Sequence, residues 1–224
     1  GSADVLEALG VRIDLSTEEA AAAIDDVGIG FLFAPNLHPA MKHAMPARRE
    51  LGVRTVFNVL GPLTNPAGAR RQLMGVYDPA LCEPICKVLA ELGSERAFVV
   101  HGAGGLDEVS PVGETRVASL AAGKVTVSAF TPEEAGIETC SLSDLAGGTP
   151  EENAESIRAI FAGDEGPCTD AVLLNAGFAA VVAGKVDKVG DGVQLARDAI
   201  EDGSASALLG TLVGAGSPLP REGS

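Results

Sequence analysis

The sequence predicts an α/β fold, with a central, mostly parallel but mixed sheet flanked by helices. Three observations carry that expectation. Apolar runs of strand length alternate along the chain with longer stretches whose apolar positions recur at helical spacing, the pattern of a sheet covered by helices. Hydrophobic residues make up 46% of the 224, and aromatics only 4% with no Trp, so a large core is available and is built from Ala, Val, Leu and Ile. Glycine, at 28 residues, is abundant enough to supply many tight turns and close backbone approaches.

The elements follow in order. Residues 2–9 read as a helix stopped by Gly10. Ser16 and Glu19 have capping-box spacing and open a second helix that ends before Gly28. Phe31-Leu32-Phe33 is short and apolar and is expected to be a strand, as is the run 72–77. An amphipathic helix spans 81–92, with Gly93 as its stop. Residues 96–100 form a buried strand that runs straight into His101-Gly102-Ala103-Gly104-Gly105-Leu106-Asp107-Glu108. Two strands, 114–119 and 124–130, are joined through Ala121-Ala122-Gly123 as a hairpin on the sheet edge, which makes the sheet mixed. Thr149-Pro150-Glu151-Glu152 is a helix start with a Thr cap, Pro in the first turn and acids beside the helix N-terminus. Residues 171–183 are the longest apolar run, in a helix expected over 170–183. It is interrupted by Asn175 and Gly177 and flanked by Asp170 and Lys185, so it reads as a buried helix rather than a membrane span. Two further helices are expected at 194–201 and 204–213. Residues 1–213 are taken as a single α/β domain, and the Gly/Pro/Ser-rich residues 214–224 as a loose tail.

A formal charge of −15 argues against non-specific nucleic-acid binding and against attraction to an anionic membrane. Cys82 and Cys86 are four apart, but no further ligands lie nearby to complete a zinc site. The four cysteines are therefore expected to be small buried thiols of a cytoplasmic protein. No Gly-x-Gly-x-x-Gly and no Gly-Lys-Ser/Thr phosphate loop occurs, which disfavours the usual dinucleotide and NTP sites.

Two stretches can carry chemistry. In the first, the strand ending at Val100 enters a glycine-rich turn followed at once by Asp107 and Glu108. Ligands of open α/β sheets sit beyond the carboxyl ends of strands, and adjacent carboxylates suit Mg2+ bridging to phosphate. A solvated acidic turn fits the same pattern. The second stretch, 36–66, holds His38, His43, Arg48, Arg49 and Arg54 between Asn36 and Pro66. His38, Met41, Met45 and Arg48 share one helical face, and Arg can grip a carboxylate with two parallel hydrogen bonds. An ordinary helix with two core methionines and a C-terminal cation has that spacing too. Gly61-Pro62-Leu63-Thr64-Asn65-Pro66 is a rigid turn in which Asn58 and Asn65 can bond the backbone. His101 and Asn175 are expected to be satisfied structurally.

The residues His38-Pro39-Ala40-Met41-Lys42 and the run from Arg48 through Gly61-Pro62 to Pro66 closely resemble the anthranilate phosphoribosyltransferase family of tryptophan biosynthesis. So do the opening ten residues, the segment Val99 to Glu108, and Leu173-Leu174-Asn175-Ala176. The resemblance implies the large α/β domain of that family's fold. It also implies transfer of the phosphoribosyl group of phosphoribosyl pyrophosphate (PRPP) to anthranilate with Mg2+. It assigns Arg48 to the anthranilate carboxylate, His38, Met41, Gly61 and Pro62 to the anthranilate channel, and Asp107 and Glu108 to Mg2+. The family's Gly-Thr-Gly-Gly-Asp diphosphate loop and its Lys-His-Gly-Asn-Arg segment are absent from the sequence, as is most of its small helical domain. The expectation is therefore a fragment inactive on its own and monomeric, from a homodimeric parent. A non-catalytic paralogue or an isolated domain with an assembly role is the alternative, followed by a pyrimidine nucleoside phosphorylase.

Overall fold

The computed structural model describes residues 1–33 and 63–215. In chain order the elements are α1 (Ser2–Ala8), α2 (Thr17–Val27), β1 (Arg71–Gly75), α3 (Cys82–Glu91), β2 (Arg96–Gly102), β3 (Thr115–Ala121), β4 (Lys124–Phe130), α4 (Pro150–Phe161), α5 (Pro167–Ala183), α6 (Val189–Glu201) and α7 (Ser204–Ala215). The chain divides into two compact units. The first comprises Gly1–Gly61, Gly147–Ala162 and Gly203–Ser224, and the second Pro62–Ala146 and Gly163–Asp202.

The first unit, as described, is helical. Leu9, Val11 and Ala154 are its buried centre, with Leu6, Ile157, Leu212 and Val213 packed around them. The capping box read at Ser16 and the Thr cap read at Thr149 are both formed, the second also as a capping box. Ser16 Oγ accepts the Glu19 N–H at 3.2 Å and Glu19 answers at the Ser16 N–H, 2.8 Å. Thr149 and Glu152 repeat the arrangement at the start of α4. Arg158 of α4 donates to the Ala8 carbonyl at the end of α1, 2.9 Å, tying the two helices together. Residues 31–33 are not a strand. They have no pairing partner among the described residues, and the rings of Phe31 and Phe33 stack on each other instead, 6.2 Å apart.

The second unit holds the sheet, in the order β1-β2-β3-β4. It is mixed, as expected, but among the described residues only the β1–β2 pairing is parallel; β2–β3 and β3–β4 are antiparallel. The hairpin accounts for this balance, since it supplies one antiparallel pairing within itself and a second against β2. Its turn, Ala122-Gly123, has positive φ at both residues, 49° and 74°. Such a turn has the twist that two right-handed strands require.

Helix α3 packs over β2, β3 and β4, and α5 over β1 and β2. Successive strand residues face opposite sides. Val100 therefore joins the core under α5 and α6, with Val117, Phe130, Leu173, Leu174 and Phe178, while Ala97 and Val99, also fully buried, lie on the side of α3. Phe178 sits edge-on between Phe98 and Phe130, with centroids 5.1 and 4.9 Å away, the favoured geometry for aromatic rings. Helix α5 meets α6 backbone to backbone: a Cβ on Gly192 would lie 2.6 Å from the Gly177 carbonyl oxygen. That contact explains why α6 starts five residues before the sequence-based expectation. Gly190 and Gly192 both lower helix propensity, but Gly192 is what the close crossing needs.

Cys82 and Cys86 are buried as expected, whereas Cys140 is half-buried and Cys168 is exposed. Cys140 lies in the irregular chain after β4 and Cys168 in the first turn of α5. No helix among the described residues is long and apolar enough to cross a membrane.

Candidate active site

The parallel strands β1 and β2 both end in glycine, and the segment after β2 uses both. Gly104 and Gly105 adopt positive φ, 82° and 77°, which lets the chain reverse. Gly102 and Leu106 then pair, with the Gly102 N–H donating to Leu106 at 2.8 Å and the Leu106 N–H returning to Gly102 at 3.2 Å. The reversed chain crosses the strand ends in contact with their backbone. A Cβ on Gly75 would lie 1.5 Å from the Asp107 carbonyl oxygen, and one on Gly102 would lie 2.6 Å from that of Glu108. No residue but glycine fits either position without moving the crossing segment.

The residues that follow are anchored more firmly still. Val109 and Ser110 are fully buried. Ser110 Oγ donates to the Ala103 carbonyl at 2.9 Å and accepts the Val112 N–H at 3.0 Å, while the Ser110 N–H donates to Thr115 Oγ1 at 3.0 Å. Asn175 of α5 takes both polar groups of Val109. Its Oδ1 accepts the Val109 N–H at 3.0 Å, and its Nδ2 donates to the Val109 carbonyl at 2.9 Å and to the Ala171 carbonyl at 2.9 Å. Asp107 and Glu108, in contrast, have exposed side chains. The backbone is fixed and two adjacent carboxylates project from it at the carboxyl end of the parallel pair. Partial desolvation first, and the neighbouring Asp107 charge second, raise the Glu108 carboxyl above the usual range. A cation at the pair would relieve that repulsion.

The donor set suits one kind of metal. Among the described residues no three His, Cys, Asp or Glu side chains gather as a metal site. A bound ion would have two protein carboxylates and complete its shell from water and ligand. Mg2+ binds that way, usually bridging to phosphate, whereas a structural zinc ion demands four protein ligands.

Arg48, His38, Met41, Gly61 and Pro62 lie outside the described residues. At the end of the same stretch, Asn65 Oδ1 accepts the Ala67 N–H at 2.9 Å, the backbone bond expected of this turn. His101 donates from Nδ1 to the Val76 carbonyl at 2.8 Å and is satisfied structurally. It lines an open cavity of about 570 Å3 with Gly104, Glu114, Arg116 and Ser128, and neither Asp107 nor Glu108 borders that cavity. Sequence reasoning did not find Gly75 or the Ser110–Thr115 link. It singled out Asn175 only as structurally satisfied, although an amide interrupting an apolar run was the available signal.

A parallel strand pair with its ligand end closed by a glycine turn and two free carboxylates defines an α/β domain with a candidate cation site. The family model described as "Glycosyl transferase family, a/b domain" matches residues 1–206. The chain belongs to that family. Within it the resemblance noted from the motifs is borne out. The chain is 51% identical over 213 residues to the anthranilate phosphoribosyltransferase of Moorella thermoacetica, covering 95% of this chain and 63% of that one. It is 54% identical over 210 residues to that of Persephonella marina, covering 93% and 62%. Among solved structures, the anthranilate phosphoribosyltransferase of Thermus thermophilus superposes with a TM-score of 0.89 at 48% identity, over 96% of this chain and 64% of that one. The Saccharomyces cerevisiae enzyme in complex with PRPP and Mg superposes with a TM-score of 0.86 at 31% identity, over 96% and 62%. The chain thus spans a little under two thirds of the length of these relatives.

Proposed function

We propose that the whole protein carrying this sequence is an anthranilate phosphoribosyltransferase acting in the cytoplasm in tryptophan biosynthesis. It breaks the bond from ribose C1 to the diphosphate of PRPP and forms one from C1 to the anthranilate nitrogen, releasing diphosphate and the amine proton. The observation that carries the reading is the Asp107–Glu108 pair, held by its backbone at the ends of β1 and β2 with both carboxylates free.

Charge builds on the diphosphate as it leaves, so the reaction needs neutralisation and positioning more than a covalent nucleophile. Mg2+, when bound, supplies that neutralisation. Asp107 and Glu108 hold it and fix where the diphosphate sits. Arg48 takes the anthranilate carboxylate, and His38, Met41, Gly61 and Pro62 line the approach of the aromatic ring; these roles rest on the family resemblance.

Loss of anthranilate fluorescence on mixing the whole protein with PRPP and Mg2+ tests the proposal. The expected result is turnover that stops on chelation and falls sharply in Asp107→Asn. No turnover, or turnover unaffected by chelation and by that substitution, overturns it.

A further inference from the structure

We infer that Asn175 is a positioning residue for the metal-binding pair, setting the orientation of Asp107 and Glu108 through the backbone of Val109. This inference rests on the proposed metal site.

The hydrogen-bond inventory of Asn175 leaves no slack on its donor side. The Val109 N–H finds its acceptor and the Val109 carbonyl its donor in this amide, which also donates to the Ala171 carbonyl. Only one orientation of the amide meets all three, and it uses both amide hydrogens. The bond to Ala171, one turn earlier on α5, fixes the side chain to its own helix. The two bonds to Val109 imitate the pairing of a neighbouring strand, although Val109 lies in no strand.

The peptide plane between Glu108 and Val109 links the amide to the carboxylates. Its N–H edge is held by Asn175 Oδ1, and its C=O edge is packed against Gly102, where a Cβ would lie 2.6 Å away. The preceding plane has its Asp107 carbonyl against Gly75. The Val109 side chain is fixed independently, in the core with Leu173 and Leu174. Both residues that carry the carboxylates therefore leave a backbone with no remaining rotation. Asn175 is the one side-chain hydrogen-bond contact to that backbone, among the described residues, that comes from a different layer of the fold, 66 residues away. A polar group in an apolar helix has this use where a distant loop must be placed, since two adjacent carboxylates repel and would otherwise splay. Support of this kind around metal ligands is worth about 10–100-fold in metal affinity.

The test titrates Mn2+ into the whole protein with PRPP present and reads free Mn2+ by electron paramagnetic resonance. Four forms are compared well below their melting temperatures: the natural protein, Asp107→Asn, Asn175→Ala and Val193→Ala. Val193 packs in the same core and takes no part in the hydrogen bonds of Asn175, so it controls for lost stability. The expected result is an Asn175→Ala affinity about 10–100-fold weaker, with Val193→Ala within about twofold of the natural protein. Amide exchange at Val109 is measured alongside and is expected to be slow in the natural protein and fast in Asn175→Ala. An unchanged affinity in Asn175→Ala, or an equal loss in Val193→Ala, overturns the positioning role. If Asn175→Ala does not fold, exchange in the natural protein decides: a Val109 amide as fast as those of Gly104 and Gly105 overturns it. Unchanged affinity in Asp107→Asn instead overturns the metal site itself, whatever Asn175 does.

Discussion

Replacing Gly75 by Ala would test how the carboxylate pair is seated. The added methyl carbon would lie 1.5 Å from the Asp107 carbonyl oxygen and 2.3 Å from its carbonyl carbon, where real contacts are essentially never under 3.0 Å. The obstacle is backbone, so no rotamer change relieves it, and the crossing segment must retreat by about 1.5 Å. Overpacking a tight contact costs about 1–3 kcal/mol. Retreat of that size also stretches the bonds between Asn175 and Val109 beyond hydrogen-bond length, at about 1–2 kcal/mol more. A loss of about 3 kcal/mol is expected. For a chain of this size it lowers Tm by about 6–12 °C. Urea unfolding and calorimetry measure the loss, and Mn2+ titration measures displacement of the pair, with affinity expected to fall alongside. A Gly75→Ala protein melting within 2 °C of the natural one (roughly the shift from half a kcal/mol), with unaltered Mn2+ affinity, would refute the close crossing.

Four other outcomes follow from single positions. Gly210 lies inside α7, and a Cβ added there would meet nothing within 4 Å, so Gly210→Ala should raise stability by about 0.5–1 kcal/mol in urea unfolding. Thr149→Ala removes one half of the α4 capping box and should cost about 1 kcal/mol by the same measurement. Burial pushes the Cys86 thiol up from 9.0 to about 11. An acid whose pKa is raised by folding favours the unfolded state once pH is high enough to ionise it there, because the unfolded chain then gives up a proton that the folded one keeps. Burial of this thiol is therefore without a pH-dependent cost below about pH 9, and stability falls as pH rises from there towards 11. Cys86→Ala should lessen that decline in a plot of stability against pH, the Cys82 thiol, also pushed up by burial, keeping part of it, and the exposed Cys168 should react with a thiol reagent in the native protein while Cys86 waits for unfolding.

How far the fold was legible in the sequence depended on how local each cause was. Helix starts set by neighbours in sequence, at Ser16 and Thr149, were read directly and are formed as read. The start of α6 was not, because Gly190 and Gly192 look like breakers until Gly177 is placed against Gly192. The start of α5 was set three residues late, since Pro167 was not taken as a first-turn proline. Phe31–Phe33 looked like a strand because apolar runs of three carry no periodicity. The carboxylate pair was visible as chemistry after a strand. Its seating was invisible, since it depends on Gly75 and Asn175, which are remote in sequence and meet Asp107 and Val109 only in the fold.

The glycine-to-glycine crossing of α5 and α6 has a mechanical consequence. Most helix contacts are cushioned by side chains, which can change rotamer and let one helix creep along another. Here two main chains touch: the backbone of Gly192 lies against that of Gly177, with the Val189 carbonyl and the Val193 N–H at the same spot. The joint has a single seat, so α5 can leave it only by separating from α6. Axial creep of the helix is thereby excluded, and the height of Asn175 above the sheet is fixed like a datum machined into the part.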